Sequence, residues 1–266
     1  MRSRNRTLTA FTALVYAFLF APIVILILFS FNDSKRNFAW RGFTLEWYPK
    51  LFANEALLSA LGVTLQVALI SVIVTTALGT LLGLGLARLR SRRAAGVADT
   101  AILLPMVTPE VVTGISLLLF FALLFNANGS ILQIAVAHIA FSISYVAIIV
   151  RARAVSLDPR MEEAARDLGA SPRQAFLHVT LPLLAPAIAA GALIAFALSF
   201  DDLIITSFNA GVGSSTLPLY IYSRIRFGVT PEINAISTIV VVGTGLVILV
   251  VMRYSNRRAR RRSTEV

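Results

Sequence analysis

The sequence predicts an all-α membrane protein, and three observations carry that prediction. Hydrophobic residues fill 57% of the 266 positions and charged residues 14%, with a mean hydropathy of +0.80. A water-soluble domain does not carry that balance. Six apolar segments, at 12–31, 59–87, 100–124, 131–150, 183–206 and 235–252, each approach the ~20 residues that a bilayer helix needs. The charges gather between these segments, where water can solvate them. One bundle uses all six, so residues 1–266 are expected to form a single transmembrane domain.

The distribution of positive charge orients the bundle. The net charge of +11 at first suggests nucleic acid. Yet eighteen of the 24 basic residues fall on one side if the chain crosses six times. These are Arg2, Arg4 and Arg6; Arg88, Arg90, Arg92 and Arg93; Arg151, Arg153, Arg160, Arg166 and Arg173; and Arg253, Arg257, Arg258, Arg260, Arg261 and Arg262. Lys35, Arg36, Arg41, Lys50, Arg224 and Arg226 fall on the other. The positive-inside rule then places both termini and the 151–182 loop in the cytoplasm. The C-terminal arginine run reads as a topology anchor touching anionic lipid rather than a nucleic-acid site. Cysteine is absent and there are two histidines, so neither disulfides nor a zinc site are expected.

Segment 12–31 follows a basic start, as in a signal peptide, but its apolar core is too long and no small-residue cleavage site follows. It is expected to be an uncleaved first span. Trp40, Trp47 and Tyr48 in the outer segment suit the membrane interface. Gly79 and Gly83 in the second span have the spacing that lets helices approach closely. The third span is interrupted by Pro105 and Pro109, with Glu110 next. A straight helix from Asp99 to Glu110 rises about 16 Å, which puts that carboxylate near the bilayer centre. Glu110 there is either functional or satisfied by a neighbouring helix. His138 in the fourth span reads as an interhelical hydrogen-bond partner, and His178 as a solvated or interface residue. The fifth span ends in Asp201-Asp202. This acidic pair either forms structural salt bridges with Arg224 or Arg226 or meets a cation at the outer surface. Leu217–Arg226 reads as a short amphipathic helix at that surface.

Arg151–Pro186 is too charged to lie in hydrocarbon. Asp158 can cap a helix beginning at Pro159, and Glu162 and Glu163 sit at its positive end. Gly169 is placed to stop it in a left-handed conformation. Ser171-Pro172-Arg173-Gln174 is a capping-box start for a second helix, which Pro182 is expected to end. Within this stretch Glu163-Ala164-Ala165, Gly169, Phe176, Val179, Leu181 and Pro182 resemble the EAA loop of binding-protein-dependent ATP-binding-cassette (ABC) importer permeases. That resemblance implies a coupling helix that docks on a cytoplasmic ATPase, with Glu163, Ala164, Ala165, Gly169, Phe176, Leu181 and Pro182 as coupling residues.

The resemblance extends over nearly the whole chain. Ser30-Phe31-Asn32, Phe43-Thr44 with Trp47-Tyr48, Asp201-Asp202, Leu217-Pro218 with Ile221-Tyr222-Ser223, and 228–235 are similar to spermidine/putrescine permeases of the second-subunit type. Related permeases for ferric iron, thiamine or sulfate share parts of these motifs. The family implies a six-helix type I importer bundle in the bacterial cytoplasmic membrane. It implies as partners a homologous second permease, two ATPase subunits holding ATP and Mg, and an extracytoplasmic binding protein. No phosphate-binding loop occurs in this chain, and neither Lys35 nor Lys50 follows glycine. ATP hydrolysis is therefore expected on partner chains, with no catalytic residue here. Glu110, Asp201, Asp202 and Glu232, with Tyr220 and Tyr222 for cation–π contacts, are the expected substrate path for a polycation. The competing reading is a free-standing ion-coupled carrier using Glu110 and the aspartate pair as a proton relay.

Overall fold

The computed structural model describes residues 6–34, 39–89, 91–158, 160–225 and 231–246. Pro159, Arg226 and the C-terminal arginine run lie outside them. Among the described residues the chain is helical: α1 Arg6–Phe29, α2 Trp47–Phe52, α3 Glu55–Ala87, α4 Arg92–Val107, α5 Glu110–Phe125, α6 Ile131–Val155, α7 Arg160–Asp167, α8 Pro172–Ala175, a wider turn at Phe176–Thr180, α9 Leu181–Phe200, α10 Ile204–Asn209, α11 Leu217–Ile225 and α12 Pro231–Leu246. Thr7–Phe29, Glu55–Ala87, Ile131–Val155 and Pro172–Phe200 are each long and apolar enough to cross a bilayer. α4 and α5 form a bent apolar pair that makes a fifth crossing if the two act as one span. α12 is the described part of the sixth segment.

Contacts divide the chain into two compact units. In the unit of residues 59–220, α6 is the hub. Val146, Ala147 and Val150 have no solvent exposure. α6 packs against α9, α4 and α10. The two glycines of α3 face it: a Cβ on Gly79 would sit 2.7 Å from the Val146 Cβ, and one on Gly83 2.5 Å from the Ala147 carbonyl oxygen. The expected close approach is therefore real, and a methyl group at either position has no room.

The other unit comprises residues 1–58 and 221–266. Asn32 organises the segment after α1. Its side chain donates to the Ala39 carbonyl at 2.8 Å and accepts from the Arg41 N–H at 2.9 Å. Its carbonyl accepts from the Trp47 indole at 2.9 Å. Ser30 meets the Tyr48 hydroxyl at 3.0 Å, and the Phe31 ring stacks 5.5 Å from Phe43. The scattered motif residues of this region are thus one knot. Trp47 is buried within it, which corrects the interfacial role expected for it; Trp40 is exposed.

Two further expectations are corrected. The third segment is not one rod: α4 and α5 meet at 99°. Pro109 forces the residue before it out of helical geometry, and Thr108 is extended at φ −67°, ψ 129°. Depth counted along a straight helix therefore does not apply to Glu110. Nor does Pro182 end the helix that begins at Pro172, which runs on to Phe200. In an α-helix the proline ring collides with the carbonyl four residues back. One widened turn relieves it, in which the Leu181 N–H donates to the Phe176 carbonyl five residues back.

Candidate functional site

The polar loop is built from local signals that each take effect. The Asp158 carboxylate accepts from the Arg160 N–H at 3.0 Å and opens α7. At the other end, the Ala170 N–H donates to the Ala165 carbonyl at 3.1 Å and the Gly169 N–H to the Arg166 carbonyl at 2.9 Å. These are the paired bonds of a Schellman stop, with Gly169 at φ +90°. The Ser171 hydroxyl accepts from the Gln174 N–H, and the Gln174 side chain accepts from the Ser171 N–H. This reciprocal cap launches the helix that becomes α9.

Of the residues expected to couple, Glu163, Ala164, Gly169 and Pro182 are exposed, while Ala165, Phe176 and Leu181 are half-buried. Leu168 is 90% exposed, although apolar, at the corner. Glu162, not singled out by the resemblance, holds the loop to the bundle. Its Oε2 accepts from the Arg88 guanidinium at 2.9 Å and from the Thr180 hydroxyl at 3.0 Å. One oxygen thereby joins α7, the end of α3 and the widened turn. Beside it lies a cleft of about 190 Å³ lined by Arg88, Asp158, Glu162 and Thr180 together with apolar residues. Sequence alone could not prefer Glu162 to Glu163, because the choice depends on which face of α7 meets α3.

A second polar cluster surrounds the break after α9. The Asp201 N–H makes the last α9 bond, to Ala197 at 3.2 Å, and its side chain is exposed. The Asp202 side chain is 8% exposed. Its Oδ2 accepts from the Thr206 N–H at 2.7 Å and the Thr206 hydroxyl at 2.8 Å. It also meets His138 Nε2 at 3.2 Å, and Oδ1 accepts from the Ile205 N–H at 3.3 Å. The other His138 nitrogen, Nδ1, meets the Ser199 hydroxyl at 2.8 Å. We assign the N–H to Nε2, facing the carboxylate, so that Nδ1 accepts from Ser199. His138 is thus the interhelical partner expected of it. The far end of α10 is fixed as well: the Asn209 side chain donates to the Gly114 carbonyl at 3.2 Å and accepts from Gln133 at 3.2 Å.

Glu110 is exposed in the first turn of α5, directly after the bend. One turn further on, Gly114 packs on α10, where a Cβ would sit 2.7 Å from the Phe208 ring. Two helix breaks therefore border one pair of packed helices, α5 and α10. Interrupted helices of this kind create polar sites inside transporter bundles. Tyr220 is half-buried on α11, whose start is tied to α3 by the Leu217 N–H donating to Thr64 at 2.7 Å. Tyr222 is exposed on the same helix, and Glu232 is half-buried in the first turn of α12.

The comparisons with known proteins agree with this anatomy. Residues 79–261 match the family described as binding-protein-dependent transport system inner membrane component. The chain is 41% identical over 237 residues to the putrescine transport system permease protein PotI of Escherichia coli strain K12, covering 87% of this chain and 84% of that one. It is 40% identical over 232 residues to the spermidine/putrescine transport system permease protein PotC of the same strain, covering 87% of each. The fold is also that of a chain of a bacterial ABC transporter involved in alginate import, with a TM-score of 0.72 at 16% identity over 96% of this chain and 99% of that one. Helix breaks before α5 and before α10, a capped and exposed polar loop and these likenesses converge: the chain belongs to the binding-protein-dependent transport system inner membrane component family and is a permease subunit of an ABC importer.

Proposed function

We propose that this permease carries polyamines, putrescine or spermidine, into the cytoplasm. The observation that carries the reading is the likeness, at 40% identity or above across most of the chain, to two permeases named for those substrates. Chemistry supports it. An exposed carboxylate at Asp201 and another at Glu110 flank the breaks, and the cargo is a flexible polycation. The acidic set Glu110, Asp201, Asp202 and Glu232, with Tyr220 and Tyr222, forms the substrate path, by contact or by support. Residues 1–266 act as one permease domain. It pairs with a homologous second permease, two cytoplasmic ATPase subunits that hold ATP and Mg, and an extracytoplasmic binding protein. The loop 151–182 docks on the ATPase through Glu163, Ala164, Ala165, Gly169, Phe176, Leu181 and Pro182, and both termini lie in the cytoplasm.

The test is uptake of labelled putrescine, spermidine, thiamine, sulfate and ferric iron by the assembled importer. Polyamine uptake that depends on the ATPase is expected, with Asp201→Asn and Asp202→Asn each lowering it while ATPase assembly persists. Uptake of another substrate instead, or uptake without the ATPase, would overturn the reading. Orientation is tested separately: cysteines introduced at Ser156 and Ser215 are expected to label from opposite sides of the membrane, and labelling of both from outside would sink it.

A further inference from the structure

The two adjacent aspartates look equivalent in sequence and are not equivalent in the fold. We propose that Asp202 is a positioning residue: it latches the α9–α10 break onto α6 through His138, Ser199 and Thr206, and this latch presents Asp201 to the cargo. The proposal rests on the reading of this end of α9 as part of the cation path.

The donors already gathered around the buried carboxylate carry the argument. An ionised carboxylate offers about four acceptor sites. Asp202 has the Thr206 N–H, the Thr206 hydroxyl, His138 Nε2 and the Ile205 N–H around its two oxygens. With its side chain 8% exposed and His138 at 3%, a cation could take Oδ2 from its three donors only by orphaning buried groups. Asp201 differs on each count. It is exposed, and among the described residues its carboxylate has no side-chain partner. It also sits between two fixed points. On one side Ser199, 4% exposed, is held by His138; on the other α10 is held by Asp202 at its start and by Asn209 at its end. Freeing the latch releases the chain on both sides of Asp201 while leaving Asp201 itself intact.

The experiment is a mutant cycle on polyamine uptake by the complete importer, measured with saturating loaded binding protein. Asp201→Asn and Asp202→Asn are each expected to lower the uptake rate about tenfold, the scale of one lost charge-assisted contact. In the double variant the loss is expected to equal that of Asp201→Asn alone, because Asp202 acts through Asp201. His138→Gln, whose amide N–H reaches the same place as Nε2, is expected to keep uptake, and His138→Leu to reproduce Asp202→Asn. Losses that multiply in the double variant would overturn the proposal, since they mean two independent contacts with the cargo. Normal uptake in Asp202→Asn or His138→Leu would overturn it too. If Asp202→Asn does not assemble, Thr206→Val replaces it in the same cycle, with the same two outcomes. Should the wild-type importer take up no polyamine, the substrate reading falls, and the latch is decided by thermal unfolding of the purified permease. Non-additive shifts for His138→Leu and Asp202→Asn would uphold it, and additive shifts would end it.

Discussion

Gly129 and Gly169 adopt nearly the same backbone, at φ +87° and +90°, in opposite surroundings. Gly129 turns the chain between α5 and α6, where a Cβ would sit 2.4 Å from the Gly211 nitrogen and 2.6 Å from the Ala210 carbonyl carbon. Around Gly169 a Cβ would meet nothing within 4 Å. Both positions need glycine for the left-handed turn. Only the first also needs it for space. The turn at Gly129 is closed against its own chain, backbone on backbone. The corner at Gly169 is closed by its own hydrogen bonds and looks onto open volume. A surface that receives another protein requires that combination: a shape fixed internally, with nothing of its own in front.

The contrast can be broken or sharpened by substitution. The largest effect is expected at Gly129. In Gly129→Val a clash with rigid backbone adds to the left-handed strain, together on the order of 3 kcal/mol, and the yield of folded permease should collapse in a thermal-shift or size-exclusion assay. Recovery of stable protein would show that the turn at Gly129 has slack. Next comes Gly169→Val, which bears the strain alone, about 1–2 kcal/mol. The permease should insert and purify normally while ATPase stimulation and uptake drop by about tenfold. Gly169→Asn should retain more of both, since asparagine tolerates this conformation. Unchanged coupling in Gly169→Val would remove the corner from ATPase docking. Smallest is Glu162→Gln. Its two contacts are partly solvated, with the Arg88 side chain 61% exposed, so about 1 kcal/mol is at stake. Coupling efficiency, measured as ATP hydrolysed per polyamine imported, should worsen a few-fold. Arg88→Gln should match it, and the pair should be no worse than either.

Much of this could be read in the sequence, and the failures share a cause. The caps at Asp158 and Ser171 and the stop at Gly169 are decided within a few residues, and each is present. The glycine spacing in α3 was readable because close helix approach has few other solutions. The bend at Pro109 was visible as an interruption but not as an angle: proline dictates that Thr108 is extended, whereas the direction of α5 depends on what it packs against. Pro182 misled because a helix can absorb a proline by widening one turn, and the cost of doing so depends on the packing of Phe176 and Thr180. Asp201 and Asp202 were indistinguishable because their difference lies on α6, more than sixty residues away in sequence. The assignment of substrate chemistry came from likeness, not from any one of these residues.

The widened turn at Phe176–Thr180 has a geometric consequence. It holds one residue more than an α-turn. Returning that residue to regular spacing would rotate everything beyond it by about 100° about the helix axis and shift it by about 1.5 Å. Directly before the turn stands the capped corner; directly after it, α9 carries Ser199 and leads into Asp201. Winding and unwinding at this one place would act as a screw thread between the Gly169 corner and the far end of the span. Distances between spin labels at Leu168 and Leu193, with and without ATP bound to the assembled importer, would read such a rotation directly, and a constant distance would rule it out.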